Sequence, residues 1–92
     1  MEKAKLYEKA WKKWPRLQWV MVIEECAELQ KEVVKIARKG ENHVTMGRLA
    51  EEVADVELML EQVRARSAQL NTLIDEIKEL KLKRLEKMLD DI

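Results

Sequence analysis

The side chains best suited to chemistry are carboxylates. Glu24-Glu25-Cys26-Ala27-Glu28 is followed, after twenty-three residues, by Glu52-Val53-Ala54-Asp55. Each segment carries an i,i+3 pair, Glu25/Glu28 and Glu52/Asp55, inside a strongly apolar stretch. On a helix, residues three apart share a face. Each pair therefore directs two carboxylates at one point, and two such helices packed together would form a cage of oxygen ligands. Such a donor set suits Mg²⁺ or Mn²⁺, whereas the N and S ligands preferred by Zn²⁺ are lacking. Acidic neighbours on a helix repel when nothing compensates them, so a bound cation is the simplest reason to keep them.

These pairs must be positioned by helices. The 92 residues include only two Gly and one Pro, with 39% charged and 47% apolar side chains, a balance that suits long helices with charged outer faces. The expected architecture is an all-α helical bundle in a single domain, its four-helix-type core completed by oligomerisation. A chain this short has little core of its own. A first helix is expected within 1–13. Pro15, at a first helical position, opens a second over 15–38. Gly40 stops that helix, Thr45 caps a third over 46–65, and Asn71 or Thr72 caps a last helix over 72–90.

The apolar periodicity assigns faces. In the second helix Trp19, Val22, Cys26, Leu29 and Val33 form one seam and Val20, Ile23, Ala27, Val34 and Ala37 an adjoining one, so packing on several sides is expected. Gln18, Glu25 and Glu32 fall on one line, with Glu28 beside it. In the third helix Leu49, Val53, Val56, Leu60 and Val63 make the core seam, with Glu52 and Asp55 at its edge next to Met59. Both carboxylate pairs thus face a low-dielectric border, where unpaired charge is costly. One mismatch arises from the expected boundaries. Glu28 stands about twelve residues before the turn and Glu52 about seven after it, a misalignment of roughly 8 Å at 1.5 Å per residue. Either the connection climbs back along the bundle or the second helix ends early.

Formal net charge is zero but unevenly spread. Residues 1–23 hold six basic and two acidic side chains (+4), residues 24–61 five and ten (−5), and residues 62–92 seven and six (+1). The acidic middle argues against a nucleic-acid groove and favours a cation site. A single cysteine excludes an internal disulfide framework. With no signal-like segment and no long apolar run, the expectation is a cytoplasmic protein with no membrane partner.

At Glu24-Glu25-x-x-Glu28 and Glu52-x-x-Asp55 the chain resembles the MazG-like all-α nucleoside triphosphate pyrophosphohydrolases. Glu25-Cys26-Ala27-Glu28-Leu29 and Leu49-Ala50-Glu51-Glu52-Val53-Ala54-Asp55-Val56 read like the two core helices of that family. Lys81-Leu82-Lys83-Arg84-Leu85 is similar to a basic stretch on its last helix. The resemblance spans about residues 14–88. It implies hydrolysis of a nucleoside triphosphate to the monophosphate and pyrophosphate, with Mg²⁺, or Mn²⁺ in its place, held by Glu25, Glu28, Glu52 and Asp55. Glu24 lies about 100° from Glu25 and cannot share its ligand position. It would hold a second metal or orient water through a partner chain. Lys81 and Arg84 are the candidates for the pyrophosphate, and Gln18 and Trp14 for the base. A homodimer or homotetramer is the expected assembly. Two rivals stand beside this reading: a specialised relative such as a phosphoribosyl-ATP pyrophosphohydrolase, and a non-catalytic helical interaction protein. The second draws on Leu70, Leu73, Ile77 and Leu80 of the last helix, although Leu82, Leu85, Leu89 and Ile92 continue in a shifted phase.

Overall fold

A computed structural model describes residues 1–90. Four helices account for almost all of it: α1 (Lys3–Lys13), α2 (Leu17–Lys39), α3 (His43–Arg64) and α4 (Ala68–Asp90), with no strand among the described residues. The protein is an all-α helical bundle built around the antiparallel α2–α3 hairpin, with α1 laid across the open end and α4 leaving from it. Ile92, the last member of the shifted seam, lies outside the described residues.

The boundaries differ from the sequence expectation in instructive ways. Pro15 sits in the turn before α2, and the helix starts at Leu17 instead of at the proline. Gly40 ends α2 with φ 81° and ψ 174°, a region essentially reserved for glycine, and its N–H donates to the Ile36 carbonyl at 2.7 Å. α3 begins at His43, three residues earlier than expected, because Asn42 and not Thr45 is the cap. The Asn42 side chain accepts from the Val44 and Thr45 N–H groups, both at 3.0 Å, and Thr45 Oγ1 accepts from the Asn42 N–H at 2.9 Å. This reciprocal capping box satisfies donors that a helix start otherwise leaves open. Thr45 is buried there, and its hydroxyl also donates to the Gly40 carbonyl at 3.1 Å. α4 likewise begins at Ala68 instead of residue 72, with Ser67 Oγ accepting from the Leu70 N–H at 3.0 Å.

The early start of α3 removes the expected misalignment. α2 ends one residue later than expected and the connection stays short, so neither a climbing loop nor a truncated helix is needed. Glu25 stands fourteen residues before the end of α2, and Asp55 twelve after the start of α3. Two residues of offset amount to roughly 3 Å, which side chains absorb.

The core is small. Trp11, Val56 and Met59 are its buried apolar residues, with Val22, Cys26, Leu29, Leu49, Val53 and Val63 half-buried around them. Leu60, expected in the core seam, faces outward, and Met59 takes the buried position instead. The second apolar seam of α2, expected to pack, is uncovered within the chain: Val20, Ile23, Ala27, Val34 and Ala37 are all exposed. α1 is fixed mainly by Trp11. Its indole N–H donates to the Gln62 carbonyl at 2.7 Å, its ring meets that of Trp19 at 5.0 Å and 56°, and the Arg66 guanidinium lies 5.0 Å from its centroid. An exposed Lys3–Glu61 ion pair at 2.8 Å adds little to this attachment.

Candidate metal centre

Antiparallel pairing sets the polar line of α2 against that of α3. At one end Gln18, only 2% exposed, donates from Nε2 to Gln62 Oε1. Gln62 in turn donates weakly to the Leu58 carbonyl at 3.3 Å and to Met59 Sδ at 3.4 Å, while its own carbonyl receives the Trp11 indole. The buried Gln18 amide thus finds its partner on α3, as a polar group removed from water requires, and the backbone carbonyl of half-buried Gln62 ties α1 to the same point.

Two turns further along α2, Glu25 meets Glu52 and Asp55 of α3. One carboxylate oxygen from each of the three lies within 4.8 Å of the others. Glu25 and Glu52 are half-buried and Asp55 is exposed, so the cluster opens to solvent on one side. Desolvation, then the Asp55 and Glu52 charges, push Glu25 above its ordinary value of 4.5. Desolvation followed by Asp55, Glu28 and Glu32 pushes Glu52 the same way. Both carboxylates hold protons more tightly than in the unfolded chain, because lost hydration and the neighbouring carboxylates disfavour their charged forms.

The donor set fits a hard cation. Oxygens around Mg²⁺ sit about 2.0–2.1 Å from the metal, which places opposite ligands roughly 4.2 Å apart. Three oxygens within 4.8 Å need only small side-chain rotations to reach that spacing.

The other residues singled out by sequence are placed differently. Glu28 lies close enough to raise Glu52, but its carboxylate is outside the three-residue cluster and pairs with Lys31 at 3.3 Å on the exposed side of α2. Glu24 is exposed and also outside the cluster. Trp14 ends α1, 40% exposed, with Lys13 Nζ 5.0 Å from its ring centroid. Lys81 and Arg84 are exposed on the outer half of α4 and make no hydrogen bond or ion pair among the described residues. α4 is anchored near its start, through Arg64 to Asn71 and Asp75, both at 2.9 Å, and its later leucines are uncovered.

Two residues of this face were not singled out as site residues. Gln62 stands seven positions after Asp55, as Gln18 stands seven before Glu25, so the i,i+7 line was readable from spacing alone. Glu32 adds a further carboxylate next to Glu52. Its Oε1 pairs with Lys35 at 3.0 Å, and its buried Oε2 has no hydrogen-bond partner. The sequence places Glu32 on the Gln18–Glu25 line by the same i,i+7 spacing, but outside the i,i+3 pairs that mark the site.

No protein-family model, no curated protein and no solved structure matches the chain. No helix among the described residues is long and apolar enough to cross a membrane.

Proposed function

We propose that this protein is a divalent-metal-dependent nucleoside triphosphate pyrophosphohydrolase of the MazG-like type, cleaving the α/β phosphoanhydride bond to give a monophosphate and pyrophosphate. The observation that carries the reading is the convergence of Glu25, Glu52 and Asp55 from two antiparallel helices onto one point. Glu25, Glu52 and Asp55 would hold Mg²⁺ or Mn²⁺, and Glu28, whose charge already acts on Glu52, is the proposed fourth ligand. When bound, the ion supplies charge neutralisation on the phosphate oxygens and a more acidic water. The open side at Asp55 leaves room for a substrate phosphate. The Gln18–Gln62 pair closes one end of the groove and keeps the two helices in register. Lys81 and Arg84 are the proposed contacts for the leaving pyrophosphate, a role that requires α4 to reach a site. Trp14, beside the Gln18 end, is the proposed platform for the base.

The chain has no Gly-rich phosphate loop of the kind that binds a γ-phosphate. The expected first products are therefore monophosphate and pyrophosphate, not diphosphate and orthophosphate. Chromatography of early time points across canonical and modified nucleotides and phosphoribosyl-ATP, with Mg²⁺ and Mn²⁺, tests this. Asp55→Asn should abolish turnover, leave helix content unchanged and make the metal-free protein more stable, since repulsion at Glu25 and Glu52 is relieved. Wild-type turnover in that variant would remove the site assignment.

A second reading, a non-catalytic helical interaction protein, is favoured by the exposed leucines of α4. Absence of product from every nucleotide, together with no stabilisation by Mg²⁺ or Mn²⁺, would select it.

A further inference from the structure

A second concave surface lies away from the carboxylates, where α1 crosses the corner between α3 and α4. It is a cavity of about 750 Å³. Small-molecule sites run from about 300 to 1,000 Å³. None of Glu25, Glu52 and Asp55 lines it. Arg64, at its edge, stands nine residues beyond Asp55, roughly 13 Å along α3.

The cavity has an apolar wall and a basic one. Trp11, Pro15 and Ala65 supply the first, and Lys12, Arg64 and Arg66 the second. The Trp11 indole N–H is taken by the Gln62 carbonyl at 2.7 Å, so its ring offers an occupant only carbon.

The three cations differ in what they are free to do. Lys12 pairs with Glu8 at 3.1 Å. Arg64 pairs with Asp75 and donates to Asn71, both at 2.9 Å. Arg66 pairs with no carboxylate among the described residues. Its guanidinium is held instead at 5.0 Å from the Trp11 ring centroid. Contact with an aromatic face holds the group in place and leaves its N–H donors free for a second partner. The cavity therefore keeps one unmatched positive charge, on a planar fork beside an indole. Such a fork matches the two oxygens of a carboxylate. A phosphate dianion would bring a second negative charge toward Glu8 and the Asp75 partner of Arg64, with no cation left to meet it.

We propose that this cavity binds a small aromatic carboxylate, its anionic head on Arg66 and its ring against Trp11. An indole wall suits a flat apolar body. Ser67 is on the same lining, and its Oγ accepts from the Leu70 N–H, so its own hydrogen is available to the ligand head. The occupant touches α1 through Trp11 and the α3–α4 corner through Arg66 and Ser67, so it fastens the first helix to the bundle. Neither metal binding nor nucleotide hydrolysis enters this assignment.

Nitrogen-resolved NMR of the full chain in EDTA, titrated with benzoate, tests it. Saturable shifts are expected at the Trp11 indole N–H and the Arg66 side-chain N–H, at the millimolar affinity usual for so small a ligand. Benzyl alcohol has the same ring without the charge and should bind about tenfold more weakly or less. Phenyl phosphate should bind no more tightly than benzoate. Arg66→Gln should weaken benzoate about tenfold or more, and Arg66→Lys should recover only part of that, since it restores the charge without the fork. Arg66 is exposed, so both variants should keep the helix content of the parent. No saturable shift at Trp11, equal binding of the alcohol, or unchanged affinity in Arg66→Gln overturns the proposal. Phenyl phosphate binding tenfold tighter than benzoate overturns it too, by making the cavity a phosphate site. With divalent cation removed throughout, none of these outcomes bears on the carboxylate cluster.

Discussion

Gln18 and Gln62 show how one part-buried pair fixes a register. The Gln18 amide is withdrawn from water and relies on the half-buried Gln62. Replacing Gln18 with Leu should strand the Gln62 oxygen and cost about 1–3 kcal/mol. Replacing both with Leu should recover part of that loss, because no buried polar group then lacks its partner. Urea unfolding of the two single variants and the double variant measures the coupling. Equal and additive losses would show that the amides act separately. The carboxylates two turns away behave in the opposite way. Their mutual repulsion is tolerated in place by the packing of α2 on α3, and it is the feature that makes them suited to a cation.

At the scale of the helices, the short connection after α2 decides the geometry of the site. Gly40 has no heavy atom within 4 Å of where a Cβ would stand, so Gly40→Ala should cost only the backbone strain of its φ and ψ, about 1–3 kcal/mol. Asn42→Ala should cost about 1 kcal/mol by opening the capping box. Both are read from denaturation midpoints, and a silent Gly40→Ala would mean that the turn relaxes to another conformation. The four helices and the shared line of Glu25, Glu52 and Asp55 were legible because i,i+3 spacing and the 3.6 period depend only on the local chain. The starts of α3 and α4 were displaced because several residues competed for each cap. Thr45, a good cap by type, serves as the third helical residue of a box opened by Asn42, and Ser67 opens the last helix four residues before Asn71. The departure of Glu28 toward Lys31 and the exposure of Leu60 were not legible, since each depends on how two helices rotate against one another. The continuous seam of α2 was read correctly as apolar, but sequence could not say that nothing in the same chain would cover it.

At the scale of the whole molecule, the carboxylate cluster should make stability depend on pH and on metal together. Glu25 and Glu52 have folded values raised above 4.5, so the folded state binds more protons than the unfolded chain. Without divalent cation, the contribution of these two carboxylates to stability should be greatest below pH 4.5, fall as the pH rises through their raised folded values, and then level off, while the lowered Glu61, held by Lys3, works in the opposite direction. Mg²⁺ at about one hundred times its dissociation constant should add about 2.7 kcal/mol above that window, and progressively less below it as protons compete. Melting curves with Mg²⁺ and with EDTA across this range check the prediction. A metal effect of constant size at every pH would place the ion elsewhere. The tilted stack of Trp11 on Trp19 has an optical consequence. Two indoles held 5.0 Å apart at 56° couple their electronic transitions, so the folded protein should show an excitonic couplet in its circular dichroism. Because one ring belongs to α1 and the other to α2, that couplet should vanish when α1 lifts away, even while the helical signal persists. It is a built-in spectroscopic gauge that separates fraying of the first helix from melting of the bundle.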